Sequence, residues 1–260
     1  MSLSQELMAQ AMAAALAFSR TSGFVVTSPF PGPYAGPTQR VGLALMLAWV
    51  ASACAPVAAH PVTHLDLRVA GLAASELGVG LLLGMAFRFV LSAADVLAQT
   101  LSISTALSSP SVFNPTVESQ EAPLALAVSL FGLLVALAVG AHRVALSWLL
   151  ESFRLLPVGS SVPFEAATGS FVDLAATALV VGVGQALPVV AVTLVAQVTL
   201  AMISRAAPSL QLFNVGIGII IIAGGMVFTA SLRDVTAGLG QHLLSLSWRI
   251  EQLLGLLGAG

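Results

Sequence analysis

Apolar residues occupy this chain in long blocks, and polar positions gather between the blocks rather than along one face of each. A helix that crosses a membrane needs about 20 mostly apolar residues. The blocks predict helices over about residues 7–18, 41–53, 72–107, 124–150, 171–203 and 215–232. The first of these is short. Between the first two lies Ser28-Pro-Phe-Pro-Gly-Pro-Tyr-Ala-Gly-Pro37, whose prolines forbid a continuous helix. The third block is long and carries Glu76, Arg88 and Asp95 within it. A Ser- and Pro-rich connection, Ser108 to Pro123, leads into the fourth, which ends in Glu151-Ser-Phe-Arg-Leu-Leu-Pro157. The fifth is expected to break near Gly182, Gly184 and Pro188, with Gln185 beside the break. The tail from Asp234 to Leu257 reads as an amphipathic helix, with Leu243, Leu246, Ile250, Leu253 and Leu257 at helical spacing.

The pattern contains no internal repeat, no second domain and no soluble head. It therefore predicts an all-α fold: residues 1–260 as one integral membrane domain of polytopic helical hairpins. Composition sharpens this reading. Hydrophobic residues make up 58% of the chain and charged residues 8%, with a mean hydropathy of +1.00. A soluble domain carries roughly 25% charged residues, so lipid or apolar protein must cover much of this surface. Met1 to Gln10 lacks a basic leader and contains Glu6, which predicts a retained first helix rather than a cleaved signal. Arg20, Arg40 and Arg205 fall in one set of loops, and Arg68, Arg154, Arg233 and Arg249 in the other. That split is too even for the positive-inside rule to set an orientation.

Charge and residue usage exclude several chemistries. All nine basic residues are Arg. Without lysine there is no Walker-type phosphate loop and no Schiff base. A net charge of −2 offers no footprint for nucleic acid. Cys54, the single cysteine, makes neither an internal disulfide nor a cysteine metal site. No HExxH, GxSxG or paired-acid motif is present, and no catalytic residue, cofactor or metal site is assigned. His60, His64 and Asp66 share a connection with Pro61; they read as a solvated loop rather than as metal ligands.

Other features admit a functional and a plain reading. Gly80-Leu-Leu-Leu-Gly84 is a GxxxG pattern, which in an apolar stretch means close helix packing rather than a nucleotide fingerprint. Arg88 and Asp95 share one helix face, two turns apart. Each is read as pairing with a group on another helix, or as sitting at an interface outside the hydrocarbon, in preference to forming a proton relay. Glu151 and Arg154 sit three apart and can pair locally. The glycines and proline of the fifth block suit a structural kink or the broken helix of a transporter site.

Several segments, in order, resemble the FliR/SctT export-gate proteins of bacterial type III secretion. They are Arg20-Thr-Ser-Gly-Phe-Val-Val-Thr-Ser-Pro-Phe with Pro37 and Arg40-Val-Gly-Leu-Ala-Leu; Glu76-Leu-Gly-Val-Gly-Leu-Leu-Leu-Gly-Met-Ala; and Ser111-Val-Phe-Asn-Pro115 with Glu118-Ser-Gln and Pro123. Further on come Gly140-Ala-His142 with Glu151-Ser-Phe-Arg-Leu-Leu-Pro-Val-Gly159, then Ala186-Leu-Pro-Val189 with Arg205-Ala-Ala-Pro-Ser-Leu-Gln-Leu-Phe213. The chain departs from flagellar members in reading Gly-Ala-His at 140–142, in Ser-Leu-Gln-Leu-Phe after Pro208, and in Gly216-Ile-Gly218 where Gly-Phe-Pro is common. Arg205-Ala-Ala-Pro208, His142 and Ser152-Phe153 favour the flagellar branch over the injectisome branch.

The resemblance implies a non-enzymatic, pore-forming gate subunit with a FliP-like plus FliQ-like organisation. It implies FliP-like and FliQ-like partners, FlhB-like and FlhA-like export components, and unfolded proteins in transit. The place implied is the bacterial inner (cytoplasmic) membrane, in contact with membrane lipid, at the flagellar basal body. It also implies that hairpins need not cross the bilayer conventionally, and that much of the complex stands out of the membrane plane. The connection from Ser108 to Pro123 matches the family's pore-plugging loop, with Pro110, Val112, Phe113, Asn114 and Pro115 as its plug and Phe113 as the apolar stopper. A secondary transporter with its site at the fifth helix, or an intramembrane enzyme, are the competing readings.

Overall fold

A computed structural model describes residues 3–30, 32, 35–54, 67–105, 123–160, 164–206 and 212–258. Every regular element among them is an α-helix: α1 (Leu3–Thr27), α2 (Pro37–Cys54), α3 (Leu67–Ser104), α4 (Pro123–Val139), α5 (Ala141–Leu155), α6 (Phe164–Ala206) and α7 (Leu212–Gly258). The all-α expectation is met.

α2, α3 and α6 start ahead of the predicted blocks, and the reading differs in four further places, each for a physical reason. α1 extends well past both ends of the apolar block at 7–18. Arg20 does not end it, because its charge is neutralised inside the protein. The fourth block is two helices, α4 and α5, divided at Gly140, whose φ of 82° is left-handed backbone that a side chain disfavours. The predicted sixth helix and the amphipathic tail are one helix, α7. Arg233 and Asp234 are exposed and cost that helix little, and no proline interrupts it. Of the tail's proposed apolar stripe, Leu243 is buried; the side chains of Leu246, Ile250, Leu253 and Leu257 lie outside the described set.

The fourth correction concerns the fifth block. α6 runs without interruption through Gly182, Gly184, Gln185 and Pro188. A proline inside a helix loses one hydrogen bond and presses its ring on the carbonyl four residues earlier. Here that carbonyl belongs to Gly184, whose lack of a side chain gives the backbone room to adjust. Pro37, by contrast, stands at the first helical position of α2, where its missing N–H is no loss.

Among the described residues, three helical stretches are long and apolar enough to cross a membrane: Val69–Ser104, Thr168–Arg205 and Gly218–Ser245. Leu124–Val139 and Ala141–Leu155 pass the same test only when taken together. The hydropathy count of six thus reduces to three or four candidate spans. α6 and α7, with 43 and 47 residues, have contour lengths of about 65 and 70 Å at 1.5 Å per residue. A hydrocarbon core is about 30 Å thick.

The chain divides into two compact units. The first holds α1, α2, the start of α3, α5 and the turn after it. The second holds α3 from Leu91, α4, most of α6 and α7 as far as Leu244. In the first unit α5 shows the one-sided pattern that the long blocks lack. Ala141, Ala145, Trp148, Leu149, Ser152 and Phe153 are buried, at successive turns of one face. In the second, Ala93, Ala94, Leu97, Ala98 and Leu101 of α3 form a core with Ala125 and Val128 of α4, Ala186 and Val189 of α6, and Val235 and Leu239 of α7. Alanine is the commonest residue among them, as expected where helix backbones approach closely.

Candidate functional site: a buried ionic node

α1 carries four consecutive polar residues, Ser19-Arg20-Thr21-Ser22, in the middle of an apolar helix. Each finds a partner. Ser19 Oγ donates to the Ala73 carbonyl of α3 at 2.7 Å, and Thr21 Oγ1 donates to the Ala44 carbonyl of α2 at 3.0 Å. Ser22 Oγ donates to the Ser19 carbonyl at 2.8 Å. Arg20 is 0% exposed. Its Nε donates to Glu76 Oε2 at 2.6 Å, and Glu76 is itself only 2% exposed. Nη1 donates to the Ser152 carbonyl at 2.9 Å and reaches Ser152 Oγ at 3.3 Å, while Nη2 donates to the Leu156 carbonyl at 3.0 Å. The guanidinium lies 4.4 Å from the centroid of the Phe153 ring, in cation–π range.

The second oxygen of Glu76 is also occupied. Gly159 donates its backbone N–H to Oε1 at 2.8 Å. Gly159 has φ 87°, so a glycine is what lets the turn after α5 aim that N–H at the carboxylate. A buried ion pair is tolerable only when its remaining donors and acceptors are satisfied. Here α3 supplies the anion, α1 the cation, and α5 with its following turn two carbonyls and an N–H.

Glycines set the distance across the pair. A Cβ built at Gly80 would collide with the Arg20 carbonyl oxygen and stand 2.9 Å from the Phe24 nitrogen. One at Gly84 would lie 2.6 Å from the Phe24 carbonyl oxygen, and one at Gly23 would lie 2.5 Å from that of Leu77. The GxxxG pattern therefore packs α3 against α1, one turn beyond Glu76. Beyond the node, Phe30 stacks on Phe87 with centroids 5.6 Å apart, and the edge-to-face pairs Phe87–Trp148 and Phe30–His142 extend the contact to α5.

The node holds no nucleophile beside a base, and no group of three or more possible metal ligands occurs among the described residues. What it can do is mechanical: one charge pair, with every guanidinium nitrogen and both carboxylate oxygens hydrogen-bonded, fixes three helices and a turn in a single register.

Its residues are those of the resemblance. Arg20, Glu76 and Ser152-to-Gly159 come from three separate segments of the chain, brought together by folding. The sequence model of the bacterial export proteins, family 1, matches residues 11–246, which include all of them. This chain belongs to that family. Relatives of the export proteins include the flagellar biosynthetic protein FliR of Caulobacter vibrioides, 27% identical over 87% of this chain and 90% of the relative. The protein of the same name from Aquifex aeolicus is also 27% identical, over 87% and 88%. That of Bacillus subtilis is 26% identical over 78% and 79%. The resemblance to the FliR/SctT family is borne out.

For this export protein the structure sorts the residues singled out in the sequence. Of the three charges within the third block, Glu76 belongs to the node, whereas Arg88 and Asp95 are exposed. Glu151 and Arg154 form the expected local pair, at 3.5 Å and on the surface. Gly182 packs a bare backbone position against Ala93 and Val96 of α3, and Gln185 fills the space that Gly238 of α7 leaves open. Pro110, Val112, Phe113, Asn114 and Pro115 lie outside the described residues, as do His60, His64 and Asp66. Sequence reasoning missed Arg20, which looked like the end of a helix. The signal available was that Arg20 and Glu76 each stand at the head of a family-like segment.

Proposed function

We propose that this chain is a non-enzymatic, pore-forming subunit of the flagellar type III export gate. It acts in the bacterial cytoplasmic membrane, at the basal body, with FliP-like and FliQ-like partners and with FlhB-like and FlhA-like export components. Unfolded flagellar proteins pass through the assembled gate. The observation that carries this reading is the family match over residues 11–246, together with relatives that all bear the flagellar FliR name. The apolar surface supports it, because large side chains such as Trp49, Val180 and Met202 stand exposed and need lipid or protein to cover them. α6 runs on as a helix through Pro188, which favours this reading over that of a solute transporter with its site at a helix break.

Co-expression with FliP-like and FliQ-like subunits, followed by native mass spectrometry in detergent, tests the proposal. A stable mixed complex containing this chain is expected. A partner-free monomer or homo-oligomer would sink it.

Within that reading, Pro110, Val112, Phe113, Asn114 and Pro115 make the plug, with Phe113 as its apolar stopper closing the pore by excluding water. Phe113→Ala is expected to raise small-ion conductance through the assembled gate severalfold while leaving assembly intact. Conductance equal to that of the wild type would rule the stopper out.

A further inference from the structure

The second unit holds an apolar pocket, with a volume of about 90 Å³, remote in sequence from the residues of the ionic node. Four helices wall it: α3 through Leu101, α4 through Leu124, α6 through Val189, and α7 through Ile221 and Phe228. Leu101 and Val189 are each 1% exposed and make its floor. Leu124, Ile221 and Phe228 are half-buried and Gly225 is exposed, so the pocket opens at their edge.

Two glycines shape it. Gly224 and Gly225 of α7 leave consecutive side-chain positions of the lining bare. A Cβ at Gly224 would lie 2.7 Å from Cγ2 of Thr105 and 3.1 Å from Cγ2 of Thr193, so α7 comes close to α3 and α6 there. A Cβ at Gly225 would meet nothing within 4 Å, so the space beside it is open.

The chemistry of the lining selects the occupant. Thr105 brings a hydroxyl to the pocket, but Oγ1 donates to the Leu101 carbonyl at 2.8 Å while the methyl is turned to Gly224. Thr193, whose methyl also faces Gly224, donates its Oγ1 to the Val189 carbonyl at 2.9 Å. Both hydroxyls are thus engaged by their own helices. A buried water needs two to four polar partners, and a cavity lined by Leu, Ile and Phe stays dry and takes hydrocarbon instead. An unfilled gap leaves its lining without dispersion contacts on one side. Val69–Ser104, Thr168–Arg205 and Gly218–Ser245, the stretches apolar enough to cross a membrane, each supply part of the wall. The exposed neighbours of the mouth on these helices and on α4 are apolar too: Ile222, Met226 and Leu126. Lipid against this surface brings methylene chains to an opening that offers nothing to a polar group.

We propose that the pocket is a binding site for one acyl chain of a membrane lipid, whose methyl end reaches Leu101 and Val189. The inference needs the apolar, membrane-type character of the chain and not its pore-forming role.

The test uses the full-length protein in vesicles of phosphatidylethanolamine and phosphatidylglycerol, doped with a phospholipid that carries a diazirine at the end of one acyl chain. After irradiation, peptide mass spectrometry is expected to place lipid adducts on Leu101 or Val189 as well as on Leu134 of α4. Leu134 is 64% exposed and reports lipid on the outer surface, which does not touch the two floor residues. Gly225→Leu and Ile221→Trp narrow the mouth. Each is expected to lower labelling of the floor severalfold while labelling of Leu134 stays the same. The wild-type pattern decides the matter by itself where a variant does not fold. Adducts on Leu134 with none on Leu101 or Val189 would overturn the proposal. So would floor labelling that both folded variants leave unchanged. In native membranes, a photoreactive amino acid at position 225 is expected to capture lipid. Capture of protein alone would give the pocket to an apolar side chain and overturn the proposal as well. None of these outcomes touches the pore-forming role, which the co-expression experiment tests separately.

Discussion

Glu76→Gln is expected to destabilise the protein by about 3–5 kcal/mol, although the substitution barely changes shape. The amide oxygen can still accept the Gly159 N–H, now 2.8 Å from Oε1. What disappears is the negative charge facing Arg20, and Arg20 has no route to water at 0% exposure. Removing one member of a buried pair leaves an uncompensated charge, and that residual charge dominates the cost. Arg20→Met should cost a similar amount, since it strands Glu76 and the Leu156 carbonyl together. The double variant Arg20→Met with Glu76→Leu is expected to be more stable than either single variant, because both charges leave at once. Equilibrium unfolding of the four proteins in one detergent gives the coupling energy directly. Additive losses, or a Glu76→Gln cost below about 1 kcal/mol, would show that the node does not hold this fold together.

Gly80→Ala is the second large effect. Alanine ordinarily improves a helix interior by about 1 kcal/mol relative to glycine. At this position the added methyl meets the backbone of α1 at Arg20 and Phe24, which cannot rotate away as a flexible side chain would. The helices must separate, at a cost of about 1–3 kcal/mol from overpacking. Separation also lengthens the Arg20–Glu76 contact one turn away, so the total should exceed the steric cost alone. Gly71→Ala on the same helix is the control, because a Cβ there meets nothing within 4 Å. It should be neutral or mildly stabilising. Thermal unfolding of both variants in detergent, beside the wild type, makes the comparison. Equal shifts for Gly71→Ala and Gly80→Ala would remove the close approach of α1 and α3 from the account.

Both results bear on export through the same geometry. The node and the glycine contact fix α1, α3 and α5 to each other inside the first unit. A subunit whose exposed surface is covered by lipid and neighbours gains little from burying that surface on its own, so its internal register depends on specific polar contacts and close packing. This gives the family-like segments a physical role as the parts that must meet.

The sequence by itself determined that the chain is helical, apolar and built for lipid or apolar partners, because these follow from composition and block length. It also located local features: the close-packing potential of Gly80 and Gly84, and the surface pair of Glu151 with Arg154. Their causes lie within a turn or two of chain. Only the tertiary structure decided that Arg20 stays within a helix, since a hydropathy pattern treats a lone charge as a stop and cannot see a carboxylate 56 residues away. The same holds for Ser152, 132 residues from Arg20, and for the turn at Gly159. It was likewise the tertiary structure that carried α6 through Pro188 and divided the fourth block at Gly140. A proline bends or breaks a helix according to the room its surroundings leave, and burial of a charge is favourable only against the partners that folding brings to it.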